Sequence, residues 1–402
     1  MTAVRSMGKP RVMIVTAGPA QTPVILKAKA LGCEVLVTDI NAGAPALALA
    51  DRSVIVDASD RNELLRVASQ FRPQAILTEQ TDVAVASVAF VAARLGLPGI
   101  GHEAAIRATD KWQLREACRR AGLTGPRYRL AMSVEEAIAA AQEIGLPVIL
   151  KPTDNQASRG VTKVNEPSDL PSAALRALAA SRSRRIIVEE LLFGPECSVE
   201  SFVCNDRVRV LAIGEKTMCK PPYSYGLRQI YPATFPAATL DEIRRLNEIV
   251  IRTVGISMGF SHAEMIVTSE GVRLIEIAAR GCGVRVATQL LPRMSGIDLL
   301  ALRLRQAMGE AVTIPETSED HAGMFRFFEL PEGTIHRIEG ISKAAALDGV
   351  IHLEFGTPLG SRVVTPVNAD ERPGFVLAVA PTRSEVIALT EDVMTLVNIE
   401  VA

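Results

Sequence analysis

Two glutamates and an arginine at the end of a predicted hairpin are the residues of this chain best suited to chemistry. Glu264 lies within the apolar segment 260–267, Glu276 lies within 272–277, and Arg280 follows four residues later. A short turn between paired strands would bring both carboxylates to one end of a sheet face. A carboxylate in an apolar strand is costly unless a cation balances it, so this pattern predicts Mg²⁺ beside an anionic substrate. A pair of solvated acids at a strand edge is the alternative.

A lysine at a strand end indicates a phosphate site. Lys151 ends the predicted strand 146–151, and a loop of small and polar residues follows over 152–160. The ammonium group can pair with phosphate oxygens while loop N–H groups bind the others. The P-loop pattern is absent from the sequence. A lysine that only extends to solvent is the alternative, and Lys111, at a predicted helix start, is a weaker candidate.

A third candidate site follows the predicted strand 186–192. This strand ends in Glu189-Glu190, and a Gly-Pro turn and Glu196 come next. Exposed backbone groups at such a strand end can recognise the edge of an adenine ring, and a glutamate just beyond can accept hydrogen bonds from ribose hydroxyls. Taken alone, Glu196 is explained more simply as part of a surface turn.

The first hundred residues alternate strand and helix patterns, which predicts a parallel sheet covered on both faces. The predicted strands are 11–17, 34–39, 53–56 and 75–78, and the predicted helices are 22–31, 61–71 and 82–95. Ligands bind such sheets outside the carboxyl ends of the strands. Segment 16–21 has one glycine where a dinucleotide fingerprint needs three, so Asp39 alone does not support an NAD-dependent dehydrogenase.

The later segments predict a mixed architecture. Helical patterns cover 103–122, 133–145, 168–180 and 240–254, with strands at 197–204 and 208–215 and a loop at 220–228. After residue 320, short β-like segments at 324–330, 350–354 and 375–380 precede a final helix at 384–397.

Composition narrows the class of protein. The chain has 402 residues, 48% hydrophobic and 22% charged, and a net charge of -1, which argues against a general nucleic-acid binder. Six scattered cysteines predict reduced thiols in a cytosolic protein. The first apolar run, 12–15, is too short for a signal peptide, and the longest, 83–93, spans about half a membrane. We therefore predict a cytoplasmic protein without a membrane partner.

The order of the candidate residues resembles the ATP-grasp superfamily of carboxylate–amine ligases, and by motif it is closest to the L-amino-acid ligases that form dipeptides. The resemblance covers essentially the whole chain. It implies an α/β and α+β fold with a Rossmann-like pre-ATP-grasp domain over 1–102. Two ATP-grasp lobes over 103–185 and 186–315 and a small C-terminal α+β domain over 316–402 would follow.

The resemblance also implies roles for individual residues, with ATP and Mg²⁺, or Mn²⁺, as cofactors. ATP phosphates would be bound by Lys111, Lys151 and the loop residues Gln156, Ser158, Arg159, Gly160 and Val161. The adenosine would be held by Glu189, Glu190, the backbone at Leu192, and Glu196. Glu264 and Glu276 would hold the metal, and Arg280, with Lys151 the catalytic residue, would face the acyl phosphate and the substrate carboxylate.

The substrate side of the resemblance is less complete. Tyr223, Tyr225 and Arg228 could line the acceptor pocket, but their loop lacks the Gly-His step expected in the dipeptide-forming branch. Many superfamily members have asparagine where this chain has Ala278, although L-amino-acid ligases share the pattern Glu-x-Ala-Ala-Arg. His262, on the same strand face as Glu264, is a candidate general base, and a core histidine is the alternative.

Together these features predict an ATP-dependent ligase. It would activate a carboxylate, of an amino acid, as an acyl phosphate and join it to an amine, with release of ADP and phosphate. Its partners would be small-molecule acids and amines, and the resemblance implies a homodimer. The alternatives are another ATP-grasp chemistry, such as carboxylation or nucleotide-precursor ligation, and a non-catalytic ATP-binding regulatory protein. The presence of both lysines, both glutamates and the arginine argues against a decayed site.

Overall fold

The computed structural model describes residues 9–205, 207–316 and 321–402, and it begins with a parallel α/β domain. Its elements are β1 Arg11–Val15, α1 Thr22–Ala30, β2 Glu34–Asp39, β3 Arg52–Ile55, α2 Arg61–Phe71, β4 Ala75–Leu77 and α3 Asp82–Leu95. The four strands pair in the order β3-β2-β1-β4, all parallel. The predicted doubly covered parallel sheet is confirmed. The first eight residues of the predicted domain lie outside the described residues.

Four helices and a small antiparallel sheet form the next part of the chain. The elements are α4 His102–Thr109, α5 Lys111–Arg120, β5 Tyr128–Ala131, α6 Val134–Ile144, β6 Val148–Pro152, β7 Thr162–Val164, α7 Leu170–Ala180 and β8 Ile186–Glu190. The strand order is β5-β8-β6-β7. Because β8 lies between β5 and β6, its pairing places it with the first lobe, although the predicted boundary at 185/186 assigns it to the second.

The rest of the chain alternates long strands with helices. The elements up to residue 316 are β9 Glu196–Cys204, β10 Arg207–Met218, β11 Gly226–Tyr231, α8 Ala237–Val254, β12 Gly259–Thr268, β13 Gly271–Ala278, a π-helical turn Val286–Leu290, α9 Leu291–Ser295 and α10 Leu299–Ala307. Those beyond residue 320 are β14 Ala322–Phe327, β15 Gly333–Glu339, α11 Ile341–Ala345, β16 Val350–Phe355, β17 Arg362–Val363, β18 Gly374–Ala380, α12 Arg383–Leu396 and β19 Asn398–Val401.

An eight-stranded sheet joins these two parts. Its order is β13-β12-β9-β10-β11-β14-β18-β16, and every neighbouring pair is antiparallel. Three strands after residue 320 therefore extend the sheet of the preceding lobe across the predicted boundary at 315/316. Strands β15, β17 and β19 form a separate three-stranded sheet.

The two faces of the eight-stranded sheet differ in polarity. On one face, Val199, Ala263 and Ile277 pack with residues of α8 in a buried apolar cluster. Strand alternation turns the intervening residues to the other face, which carries many polar side chains. In the register, Glu264 lies opposite both Ser198 and Glu276, Lys216 lies opposite Gln229, and Gln229 lies opposite Phe325. This polar face forms one wall of the candidate site.

Two further sequence predictions concern the cysteines and membrane spans. All six cysteines are free thiols, and all but Cys219 are buried, as predicted. Across the described ranges, every helix is too short or too polar to cross a membrane.

Candidate active site

A cavity of about 390 Å³ lies between the parallel domain, the small antiparallel sheet and the polar face of the large sheet. It gathers most of the residues that the sequence singled out, although they are spread over 170 positions. The predicted residues that line it are Lys111, Lys151, Gln156, Ser158, Val161, Glu189, Glu190, Leu192, Glu196, Glu264, Glu276 and Arg280.

Glu264 and Glu276 face each other across strands β12 and β13, beside a β-bulge between Glu264 and Met265. Like charges directly opposite each other destabilise a sheet, and here each has a cation. The Lys216 ammonium lies 2.7 Å from Glu264, and the Lys111 ammonium lies 3.0 Å from Glu276. Burial alone would raise the pKa of Glu264, but Lys216 and His262 hold it well below its ordinary value.

The two carboxylates fit a magnesium site. Their side chains are 28% and 33% exposed, so part of each faces the cavity. Carboxylate oxygens are the donors that Mg²⁺ prefers, and Mn²⁺ takes the same donors. Ala278, where many relatives have asparagine, also lines the cavity, directly opposite His262. The structure therefore provides two carboxylate ligands and no third donor at position 278.

Lys151 belongs to a buried ion triad. Glu189 accepts from Arg115 Nε through Oε1 at 2.6 Å and from Lys151 Nζ through Oε2 at 2.7 Å. Burial opposes ionisation of Glu189, but Arg115 and Lys151 lower its pKa to about 2. Both carboxylate oxygens of Glu189 are occupied, so this side chain positions Lys151 at the cavity wall. The sequence prediction instead gave Glu189 a contact with adenine.

The backbone after β8 is the segment for which we predict contact with adenine. The N–H groups of Glu190 and Leu191 donate to Arg127 and Pro147 oxygens at 2.9 and 3.1 Å. In the described part of the chain, the N–H of Leu192 has no protein acceptor. Glu196 lies farther along the cavity, 3.9 Å from Lys216. The nucleotide-binding roles of the Leu192 backbone and Glu196 remain predictions.

The loop between β6 and β7 is held in an unusual backbone conformation. Ala157 and Ser158 have φ of 57°, a left-handed conformation that non-glycine residues rarely adopt. The Gln156 side chain accepts from the N–H of Asp82 at 2.8 Å, so the loop contacts the start of α3. Such strain persists only where the surroundings hold it, as in ligand-binding loops.

Two loop residues lie away from the cavity. Gly160, with φ of 72°, packs against α7, where an added Cβ would lie 2.6 Å from the Cβ of Ala180. Arg159 pairs with Asp370 of the C-terminal region. They shape the loop and anchor it, while Gln156, Ser158 and Val161 face the cavity.

Arg280 is held by a residue of the parallel domain. Its Nη2 donates to Asp82 Oδ2 at 2.9 Å, and its Nε donates to Oδ1 of the same carboxylate. Burial lowers the pKa of Arg280, but Asp82 outweighs this effect and raises it. The sequence pattern did not reveal Asp82, because its position at the start of α3 is also that of an ordinary helix-start acid.

The predicted acceptor residues do not line the cavity. Arg228 belongs to strand β11, is exposed, and donates to Thr217 Oγ1 at 2.9 Å. Tyr225 is buried against Cys219, and Tyr223 is absent from the lining. From this segment and the strand that follows, the cavity is instead lined by Ser224, Gly226 and Gln229.

His262 lies between two carboxylates. Its Nδ1 is 2.9 Å from Glu200 Oε1 and its Nε2 is 3.4 Å from Glu264 Oε1. Burial disfavours the charged ring, yet Cys282 and Glu200 raise its pKa well above the ordinary value. A protonated imidazole balances charge and cannot accept a proton, so this geometry does not support the general-base role.

Two family models match the chain. One, described as ATP-grasp domain, covers residues 144–289, which contain Lys151 and the hairpin glutamates. This segment of the chain therefore matches an ATP-grasp domain, as the resemblance predicted. The second model, described as L-amino acid ligase C-terminal domain 2, covers residues 326–402. The ATP-grasp match supports the predicted ATP-dependent enzyme class and its predicted cofactors, ATP and Mg²⁺.

Individual relatives match different shares of the chain. An uncharacterised protein, y4rH of Sinorhizobium fredii, is 29% identical over 77% of the chain, and the match spans only 64% of that protein. Formate-dependent phosphoribosylglycinamide formyltransferase of Pelobacter propionicus is 27% identical over 91% of the chain and 94% of the enzyme. The crystal structure of L-amino acid ligase from Bacillus licheniformis superposes with a TM-score of 0.82, at 19% identity, over 98% of this chain and 99% of that one.

Proposed function

We propose that this ATP-grasp enzyme activates the carboxylate of an amino acid as an acyl phosphate and joins it to an amine. The observation that carries the proposal is the opposed pair Glu264 and Glu276, which shares one cavity with Arg280, Lys111 and Lys151. The C-terminal family model and the structural likeness to an L-amino acid ligase support an amino acid as the acid.

The chemistry needs an activated carboxylate, because an oxide ion is a very poor leaving group. A carboxylate oxygen attacks the γ-phosphorus of ATP, and the bond to ADP breaks. The amine nitrogen then attacks the carbonyl carbon, the C–N bond forms, and phosphate leaves with one of the original carboxylate oxygens. The ammonium proton is lost to solvent or to a group that the structure does not identify.

The residues of the site contribute position and charge. Glu264 and Glu276 would hold Mg²⁺, which neutralises phosphate charge when it is bound. Lys111 and Lys151, already fixed by Glu276 and Glu189, can donate to phosphate oxygens. Arg280 presents a planar fork that suits first the carboxylate and then the phosphorylated group.

An acyl phosphate must be protected from water. The loop 154–161 can cover the cavity and exclude water, because three contacts with the parallel domain and the C-terminal region hold it in place. Gln156 accepts from Asp82, the Ala369 N–H donates to the Ala157 oxygen at 3.0 Å, and Arg159 pairs with Asp370. The C-terminal region and the parallel domain therefore both contact the loop that faces the nucleotide.

A second candidate is ligation of a nucleotide precursor. It is favoured by the curated relatives, several of which are formate-dependent phosphoribosylglycinamide formyltransferases that match most of the chain. In this alternative, the acid would be formate and the amine would carry a phosphoribosyl group. The same cavity residues would perform the same phosphoryl chemistry, so only the substrates separate the two candidates.

Analysis of nucleotide products tests the proposal. The purified protein is incubated with Mg-ATP and amino acids, alone and in pairs, and with formate plus a phosphoribosyl-bearing amine. We expect ADP and phosphate only when an amino acid and an amine are both present. Turnover only with formate would favour the second candidate, and AMP with pyrophosphate would contradict both.

We also propose that the protein is a homodimer. Light scattering, which measures the mass of the particle in solution, tests this.

A further inference from the structure

The cations that line the cavity differ in whether the protein already pairs them. Five of them lie within 3.0 Å of a carboxylate oxygen: Lys111, Arg115, Lys151, Lys216 and Arg280. Arg372 also lines the cavity, and in the described part of the chain it forms no ion pair with a carboxylate, although Asp370 is close enough to raise its pKa. Arg372 is half-buried, and even partial burial of a charge without an ion pair is costly, so the position of this arginine needs an explanation.

The Arg372 guanidinium is fixed in place by neutral groups. Its carbon lies 3.4 Å from the centre of the Phe327 ring. Its Nε donates to the Ala369 oxygen at 2.6 Å, and its Nη1 donates to the Gly226 oxygen at 2.5 Å. A guanidinium has five N–H groups, so others remain for a ligand. Burial lowers the pKa of Arg372 to about 10, which still leaves it charged at neutral pH.

The Arg372 guanidinium is held in one position, as expected for a side chain that binds a ligand. Stacking on an aromatic ring and two backbone acceptors restrict the side chain before any ligand arrives, which reduces the entropy lost on binding. The free edge of the guanidinium suits a planar carboxylate or a phosphate. Lys163 also lacks a carboxylate partner in the ranges described, but it lies on β7 directly after the phosphate loop, and we assign it to the nucleotide.

Arg372 enters the cavity from a different wall than Arg280. It precedes β18 and touches the start of β11, next to the cavity residues Gln229 and Phe325. Arg280 follows β13, beside the metal-binding carboxylates. The reacting carboxylate belongs beside Arg280, so a second anionic group is expected at Arg372.

We propose that Arg372 binds the non-reacting anionic group of the amine substrate, a carboxylate or a phosphate monoester. This inference rests on the proposed ligase function and names the acceptor that the site takes. An acceptor amino acid keeps its α-carboxylate while its nitrogen attacks, and that carboxylate needs a cation. If the acyl donor is an amino acid, its carboxylate is the group that is phosphorylated. Its remaining charged group is then the ammonium, which an arginine repels. Arg372 is therefore a specificity-determining residue for the acceptor.

Equilibrium binding in the absence of turnover tests this assignment. Calorimetry in the presence of Mg²⁺ and a non-hydrolysable ATP analogue compares each common L-amino acid with its carboxamide, and O-phosphoethanolamine with ethanolamine. In the wild type we expect one anionic probe class to bind about 10- to 100-fold more tightly than its neutral counterpart, the range for a charge-assisted hydrogen bond. In Arg372→Gln this preference should vanish, while affinity for the ATP analogue is retained.

Two further variants complete the test. Arg372→Lys should keep a weakened preference, and Arg362→Gln, at an exposed arginine of the same C-terminal region, should behave as the wild type. The preferred probe class decides between carboxylate and phosphate. A preference that persists in Arg372→Gln, or no preference in the wild type, would overturn the assignment. If Arg372→Gln loses the preference for the anionic probe but the wild type shows no amino-acid ligase turnover, the proposed function would be wrong and the anion site at Arg372 would be retained.

Discussion

The two ends of the cavity are built in different ways. At the nucleotide end, the protein supplies a carboxylate for each catalytic cation, as in the pairs Lys151–Glu189 and Lys111–Glu276. At the acceptor end, the direct contacts that hold Arg372 among the described residues are two backbone oxygens and the Phe327 ring. The nucleotide is a fixed reactant whose groups can be positioned in advance. The acceptor end keeps its charge available, as a site that selects among substrates requires.

The buried triad should be the most sensitive part of the nucleotide end. Glu189→Gln leaves Arg115 and Lys151 buried without a counter-charge, so we expect a loss of ~3–5 kcal/mol in the free energy of unfolding. Urea denaturation measures this loss. Glu143→Gln, at an exposed partner of Arg129, should leave the stability close to that of the wild type. Equal effects of the two substitutions would contradict the buried-triad account.

The same triad predicts a pH dependence of stability. The folded-state pKa of Glu189 is about 2, below its ordinary value of 4.5. The folded protein therefore holds this carboxylate ionised more strongly than the unfolded chain does. The stability advantage of the wild type over Glu189→Gln should be complete above pH 4.5 and should shrink as the pH falls towards 2. An advantage that grows on acidification would reverse the sign and refute the assignment.

Removal of the catalytic arginine should have the next largest effect. Arg280→Ala should reduce kcat by ~10²–10³, the cost of losing one oxyanion donor. Arg280→Lys should restore little, because lysine cannot form the same fork. Steady-state release of ADP measures both, with Arg244→Ala, at an exposed helix arginine, as the control. Turnover of Arg280→Ala close to that of the wild type would remove Arg280 from the mechanism.

The phosphate loop should be moderately sensitive at its glycine. In Gly160→Ala, the new methyl group would meet Ala180 at 2.6 Å in a left-handed backbone. We expect a cost of ~1–3 kcal/mol, seen mainly as a raised KM for ATP. Gly125→Ala has open space and no such backbone constraint, so it should leave KM unchanged. Matching KM values for the two variants would show that the loop does not depend on its packing against α7.

The smallest effect is expected where the C-terminal region holds the loop. Asp370→Asn weakens the pair with Arg159, whose side chains are 51% and 39% exposed. Exposed pairs contribute ~0.2–1 kcal/mol, so KM for ATP should rise by less than about fivefold, and the rise should fade at high salt. Asp392→Asn, at an exposed helix residue, is the control. A rise that does not depend on salt would argue for a role other than this ion pair.

The sequence revealed the charged residues that lie within apolar strands or at their ends. Glu264 and Glu276 interrupt apolar strands, and Lys151 ends one, so local patterns located them. The sequence did not reveal Lys216, the partner of Glu264, or Asp82, the partner of Arg280, because both come from distant segments and pairing depends on tertiary contacts. Lys216 could have been suspected as a lysine in a long strand, whereas a helix-start acid such as Asp82 is too common to be informative.

The parts of the fold that the sequence did not predict also depend on tertiary contacts. The parallel domain was predicted almost element by element, since each strand and helix has its own periodicity. The placement of β8 and the continuation of the large sheet into the C-terminal region were missed, because strand order is set by contacts far apart in sequence. The acceptor residues were sought in a tyrosine-rich loop, but Arg372 approaches the cavity from a part of the chain about 140 residues later.

The central claim is that the carboxylate passes through an acyl phosphate, and oxygen transfer tests it most directly. The acid substrate is labelled with ¹⁸O in its carboxylate, and the products of one complete reaction with ATP and amine are analysed by mass spectrometry. We predict one labelled oxygen in the released inorganic phosphate and none in the nucleotide. Label in AMP, or phosphate without label, would contradict the account of Arg280, Lys151 and the opposed glutamates.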